Sequence, residues 1–441
     1  MRIVWLLILI LVGVLTGALL TRFERDPPVI HTRTQSAYVG KQHAHEFRVS
    51  DEGMGIERVR IWLESGDVEI ELHDETYAGN LWSGAALLLP RRIEITIEPK
   101  KMGLGPGQAT LYAEAYDFSW SGNSSRVEVP LVIDAKAPRI SLLTGLTYVR
   151  RGGTEAVVYE IDEPVEKHGV LVGELLFAGF AHPTHPDRFT ALYALPPDTP
   201  QGDSPRILAE DRAGNRTLAP VSISVIEKAF PEDVIVLSDG FLELKVAEIL
   251  GGERPDLLEA YLEINRDMRA DNAARIREIC ERSSGERLWS EPFLQLPNSR
   301  VGARFGERRS YQYKGRSVDA QVHMGYDLAS TSRAQVPAAN DGVVLFADNL
   351  GIYGQTVIID HGLSLFSLYG HLSEIAVEQG RPVSRGDPIG RTGSTGLAGG
   401  DHLHFAMLVG GVFVDPLEWF DGKWIQEHIE AELTIDEPQG S

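Results

Sequence analysis

Three textures of hydrophobic and polar positions follow one another along the 441-residue chain. Residues 3–20 form an apolar run without a charge, about 18 residues long, enough to span a bilayer. From 26 to about 229 the apolar residues come in short runs, such as Val59-Arg60-Ile61-Trp62-Leu63 and Ala156-Val157-Val158-Tyr159-Glu160, divided by Gly, Pro and Asn. Short apolar runs between turn residues predict strands. Between 230 and 295 the spacing shifts to three and four. "PDLLEAYLEINRDMRADNAARIREICERSS", rich in Ala, Leu, Glu and Arg, predicts a connector of two or three helices. Beyond 295 the pattern returns to strands, with many glycines.

The strand-rich region repeats itself weakly. "DPPVI" (26–30) is echoed by "KAPRI" (136–140), and "AEAYDFSWSGNSSRVEVPLVI" (113–133) by "LAEDRAGNRTLAPVSISVI" (208–226). The Gly-Asn pairs at 122–123 and 214–215 fit a tight turn before a last strand. Two units of this kind resemble bacterial immunoglobulin-like modules. The predicted fold is multidomain and mainly β. It comprises an N-terminal transmembrane segment (1–25), two immunoglobulin-like β-sandwich modules (26–135 and 136–229), a short helical connector (230–295), a C-terminal antiparallel β domain (296–422) and an acidic, frayed tail (423–441).

Composition narrows the function. A formal net charge of -21 argues against nucleic acid as a partner, because phosphate binding needs clustered Lys and Arg. A single cysteine, Cys280, rules out a disulfide within the chain, and its helical surroundings make it a helix-face residue. Arg2 before the apolar run orients it with the N-terminus in the cytoplasm. An uncleaved anchor is favoured over a signal peptide, because the run exceeds a usual signal core and "TGA" at 16–18 is a poor cleavage site. On either reading the bulk of the chain is expected outside the cytoplasm, in the cell envelope.

Five of the thirteen histidines fall between 323 and 404. If "DHLHFAML" is a strand, His402 and His404 project from one face. "HMGYD" adds His323 and Asp327, four apart, and "YGHL" adds His371. His323, Asp327 and His404 make a three-ligand set suited to a catalytic zinc with an open fourth position. His371 and His402 are left for acid–base work and oxyanion support. His361, Tyr353 and Tyr369 are candidates to line a substrate groove, with a structural role the alternative for His361 and buried packing an equal alternative for the two tyrosines. "QHAHEF" and "HPTHPD" lack a "YGHL" partner; they place His43 and His45 on an exposed strand face and His182 and His185 in a loop, with no metal.

"HMGYD", "GVVLFA", "YGHL", "VSRGDPIGRTGSTG" and "DHLHF" occur in that order, and residues 296–420 resemble the LytM/lysostaphin-type zinc endopeptidases. The resemblance implies an antiparallel β metallopeptidase domain holding one Zn2+ per chain. It implies His323, Asp327 and His404 as ligands, His371 and His402 as catalytic histidines, and cross-links of bacterial peptidoglycan as substrate. The alternative is a peptidoglycan-binding or hydrolase-activating envelope scaffold of little activity. The membrane and other envelope proteins, through the β modules, are the further partners expected. Leu288, Trp289, Phe293 and Leu294 crowd ahead of the domain, so the connector is either a spacer whose apolar face closes on itself and on the peptidase flank, the favoured reading, or a partial cover of the groove.

Overall fold

The computed structural model describes residues 2–434 except 24, 35–36, 86–88, 201 and 253, and leaves aside the side chains of 2–4 and 18–22. It divides into two compact units, residues 1–138 with 210–216, and residues 139–209 with 217–441. The first unit begins with the helix Arg2–Arg22. The expected transmembrane anchor is not borne out: among the described residues no helix is long and apolar enough to cross a membrane.

Beside a short pair, Gly79–Asn80 with Gly84–Ala85, the described strands of the first unit form two larger sheets. One orders Val29–Thr32, His43–Ser50 and Arg91–Ile97; the other orders Ala37–Val39, Ser124–Ile133, Gly107–Asp117, Ile56–Ser65 and Val68–Thr76. Alternate residues, among them Phe47, Val59, Ile61, Ile95, Leu111 and Leu131, close one core between them. One expectation fails here. His45 is 4% exposed, not on a solvent face, and its Nε2 meets Thr32 Oγ1 at 2.8 Å.

The repeated Asp…Gly-Asn signature is one turn built twice. Asp117 accepts from the amides of Ser119 and Asn123, and Asn123 Nδ2 donates to its second oxygen. Asp211 does the same with the amides of Ala213 and Asn215 and with Asn215 Nδ2. The glycine before each asparagine has positive φ, 64° at Gly122 and 78° at Gly214, which is why the motif needs Gly-Asn.

Within the second unit lie further strand pairs of 140–226, the helices, and the sheet that carries the histidines. Tyr159, Phe177, Tyr193 and Ile207 are wholly buried in its first part. The helices Asp239–Val246, Leu257–Glu263 and Arg269–Ile279 follow a strand, Glu232–Leu237, which the sequence reading assigned to helix. Ser238 and Asp256 cap the first two by accepting from amides of their first turns. Cys280 caps the C-terminus of that last helix and is 3% exposed.

An eight-stranded sheet follows. Its order is Arg300–Ala303, Tyr326–Ala329, Leu403–Val409, Leu365–Leu372, Gln355–Asp360, Gly342–Asn349 and Pro382–Val383, with Val412–Val414 paired to Leu403–Val409. A hairpin, Glu307–Tyr313 with Arg316–His323, turns through Lys314 (φ 49°) and Gly315 (φ 78°), the double positive φ of a two-residue hairpin loop. Glu232–Leu237 pairs parallel to its first strand. Trp289 and Phe293 pack on Trp419, at 5.9 and 5.6 Å between ring centres, so they fill a flank and not the groove. The expected fraying of 423–434 is also corrected. This segment is helical to Leu433, with Ile425 and Ile429 buried; residues 435–441 lie outside the described residues.

Candidate metal centre

Tyr326–Ala329 pairs with Leu403–Val409 so that Asp327 stands opposite His404. His323 ends the neighbouring hairpin strand, four residues before Asp327. The result is a triangle of donor atoms. His323 Nε2 and Asp327 Oδ1 are 3.0 Å apart, His404 Nδ1 and Asp327 Oδ1 3.0 Å, and His323 Nε2 and His404 Nδ1 3.1 Å. Zinc ligands at about 2.0–2.2 Å in tetrahedral array stand about 3.3–3.5 Å apart, so a small expansion of this triangle, by a few tenths of an ångström, would admit one ion. His323 Nδ1 donates to Arg304 O at 3.0 Å, which leaves Nε2 as a lone pair facing the Asp327 oxygen. Two acceptors in contact call for a cation between them. Two imidazoles and a carboxylate are a donor set that fits zinc. Among the described residues His404 Nε2 is buried without a hydrogen-bond partner, so Nδ1 is the nitrogen that ring turns to the triangle.

Close approach shapes the triangle. A Cβ at Gly325 would meet the His404 ring at 2.7 Å, so the glycine of "HMGYD" clears the space that His404 occupies.

His371 reaches the same cavity by a different device. On Leu365–Leu372, residues 370 and 371 face the single residue Thr356 of Gln355–Asp360, a bulge that re-aims the side chain. His371 has φ 61°, a left-handed conformation that costs a non-glycine residue about 1–3 kcal/mol. Its Nδ1 donates to Thr395 O at 2.8 Å. His402 precedes the strand Leu403–Val409 and donates through Nδ1 to Gly400 O at 2.8 Å; its Nε2 lies 3.4 Å from Asp327 Oδ1. The two rings stand 4.9 Å apart between centres. All five sequence-predicted residues therefore line one cavity, of about 100 Å³, with Arg269, Arg309, Tyr353 and the 397–399 loop.

Electrostatics separates the two leftover histidines. Burial, then His402 and His404, push His371 well below the ordinary histidine value, so it is neutral near pH 7. Burial opposes charge on His402 too, but Asp327 outweighs it and raises the value. Burial lowers His404 to about 4. Asp327 is pushed up by burial yet held well below the carboxylate range by His323, with His402 and His404 also hydrogen-bonded to it.

Of the three groove candidates, Tyr353 stands beside the site, 5.4 Å from the His404 ring centre. The other two expectations are corrected. His361 is wholly buried, held by Asp341 O at 2.6 Å and Ser367 Oγ at 2.7 Å. Tyr369 accepts from the Ala339 amide and from Ser367 Oγ, 1% exposed. Both are core polar groups that complete one hydrogen-bond chain.

Arg309 is a site neighbour that the sequence reading missed. So are Lys245 and Glu248 of the helical segment, whose Nζ and Oε1 bind Ser394 O and the Gly396 amide at 2.7 and 2.9 Å. They grip the chain on both sides of Thr395, the residue that holds His371.

Part of the chain is similar to known proteins. Residues 321–416 match the family described as Peptidase family M23. Over 112 residues the chain is 38% identical to a peptidoglycan DD-endopeptidase, ShyA, of Vibrio cholerae serotype O1, covering 25% of each chain. Over 97 residues it is 39% identical to a DD-carboxypeptidase/endopeptidase, Mpg, of Neisseria meningitidis serogroup B, covering 22% of each. The chain thus spans about a quarter of the length of the curated relatives it matches. Among solved structures, the catalytic domain of the antimicrobial peptidase lysostaphin from Staphylococcus simulans is 26% identical, covers 30% of this chain and 98% of its own, and has a TM-score of 0.26.

Proposed function

With residues 321–416 as a Peptidase family M23 domain, we propose that the protein is a zinc-dependent endopeptidase that cuts peptide cross-links of bacterial peptidoglycan in the cell envelope. The observation that carries the reading is the triangle of His323 Nε2, Asp327 Oδ1 and His404 Nδ1, with two further histidines aimed into the same cavity. A scaffold has no need of those two. The relatives named DD-endopeptidases support a D,D bond as the one cut. No part of this reading requires a membrane anchor.

His323, Asp327 and His404 would hold the metal, which supplies Lewis-acid polarisation of the scissile carbonyl. The protein residues do the rest. Thr395 O fixes the His371 tautomer, leaving Nε2 free to take the proton of the attacking water. His402, kept more basic by Asp327, donates to the oxygen on which negative charge develops. His371 then returns its proton to the leaving amine. The test measures zinc per chain in the purified protein and release of soluble fragments from purified sacculi. Zinc near one per chain and chelator-sensitive release are expected; a metal-free protein, or release untouched by chelator, refutes the reading.

A further inference from the structure

We propose that Arg309 is the positioning residue of the metal centre: its guanidinium occupies the second oxygen of Asp327, so that the carboxylate offers the metal one oxygen in one orientation. The inference rests on the metal reading above and extends it to a residue outside the matched stretch 321–416.

Two edges of Asp327 face different partners. Oδ1 meets the histidines, at 3.0 Å from His323, 3.0 Å from His404 and 3.4 Å from His402. Oδ2 meets Arg309 Nη2 at 3.0 Å. The carboxylate cannot rotate without giving up that ion pair inside a largely buried site, where water replaces it poorly. Without the pair, both oxygens are free, and a carboxylate can bind a metal through either one or through both.

The arginine is itself fixed. Its Nε donates to Glu307 Oε1 at 2.8 Å, and its side chain is 20% exposed. Strand pairing sets its place. Glu307 lies opposite His323 and Arg309 opposite Gln321, so the hairpin that delivers the His323 ligand also delivers the clamp. Glu307 has a second consequence. A lone guanidinium beside a dication would repel it, and the Glu307 carboxylate neutralises that charge. Orientation is thereby retained without a net positive charge against the metal.

The chain's other cationic neighbour of the cavity does not share this role. Arg269 bonds to Asn265, through Nε to the backbone oxygen and through Nη2 to the side chain. Its donors go to its own helix, not to a ligand.

The experiment uses the full chain. Zinc affinity of wild type, Arg309→Gln and Arg309→Lys is measured by competition with a chelating dye, and thermal melts of the metal-free proteins report folding. Cobalt-substituted proteins are compared by visible absorption, which responds to coordination number. Arg309→Gln is expected to bind zinc about 10–100-fold more weakly, the size of effect of losing an outer partner of a ligand, with an altered cobalt spectrum. Arg309→Lys keeps the charge but not the two-way fork, and falls between the two. A folded Arg309→Gln protein with wild-type zinc affinity and cobalt spectrum overturns the inference and leaves the metal reading intact. A wild-type protein that binds no zinc overturns both. If Arg309→Gln does not fold, Arg309→Lys decides: several-fold weaker zinc binding supports the inference, and wild-type affinity with an unchanged cobalt spectrum overturns it.

Discussion

The helical segment reaches the catalytic cavity from outside the peptidase domain, and Glu248→Gln tests what that contact does. Glu248 Oε2 accepts from Lys245 Nζ at 2.7 Å and its Oε1 accepts from the Gly396 amide at 2.9 Å. The Lys245 side chain is 4% exposed, and its remaining partner is the carbonyl of Ser394. Removing the carboxylate charge leaves a buried ammonium with one neutral acceptor. Breaking a fully buried pair costs about 3–5 kcal/mol. Glu248 is 36% exposed and water reaches it, so about 2 kcal/mol is the expected loss. Part of that loss falls on Thr395, whose carbonyl orients His371. If about 1.4 kcal/mol of that orientation is lost in the transition state, turnover falls about 10-fold. Thermal melts and sacculus hydrolysis are measured on the same preparation, with zinc content as control. The expected result is a lowered Tm, lowered kcat and unchanged zinc. A Tm drop of the expected size with wild-type kcat refutes the link from helix to His371. A second change, Lys245→Met on top of Glu248→Gln, should recover part of the stability, since the orphaned charge is then gone.

Four further outcomes follow from the same geometry. His404→Ala should lose metal while remaining folded; zinc near one per chain in that variant would falsify its place in the triangle. His371→Ala should keep zinc and lose about 10²–10⁴ in rate, whereas hydrolysis at the wild-type rate removes its assignment as base. A fragment of residues 296–441 should be slower than the full chain, because it lacks Lys245 and Glu248; a several-fold faster fragment would instead show that the connector blocks the groove. Glu418, which accepts from the Thr154 amide at 2.9 Å, is raised to about 8 by burial. Its folded value exceeds its ordinary one, so its contribution to stability is complete below about pH 4.5 and is lost as pH rises towards 8. Glu418→Gln should therefore raise Tm relative to wild type more at pH 8.5 than at pH 5; equal shifts at both would remove Glu418 as the cause.

The residues that meet in the cavity were legible because each sits in a short motif whose order survives in the chain: "HMGYD", "YGHL" and "DHLHF". Spacing alone did less well. The same i, i+2 pair at His43 and His45 reads as a surface feature, yet His45 points into the space between strands and bonds Thr32. His361 and Tyr369 carried no sequence mark to tell a groove residue from a buried polar one, since their partners Asp341 and Ala339 lie elsewhere in the chain. Arg309 had a readable signal. "YQYKGRSVDAQVH" is a hairpin with a Lys-Gly loop, and counting back from it brings Arg309 opposite Ala320, within one residue of its place; a bulge at Val318, which the pattern does not mark, shifts it to Gln321, two residues from His323. The grip of Lys245 and Glu248 on 394–396 had none. It joins segments about 150 residues apart, and such a contact is set by packing, not by local pattern.

The bulge at residues 370–371 separates the fold from its chemistry in an unusual way. The imidazole of His371 enters the cavity because the strand Leu365–Leu372 carries one residue more than its neighbour needs at that point. The hydrogen-bond ladder on either side, Tyr369 with Val357 and Leu372 with Gln355, is regular without it. Loss of one residue there would restore an even strand, relieve a left-handed backbone and leave the buried aromatics where they are. In evolutionary terms, a one-codon deletion is then one path from hydrolase to inert homologue that leaves the strand pairing on either side intact, with no metal ligand or core residue replaced.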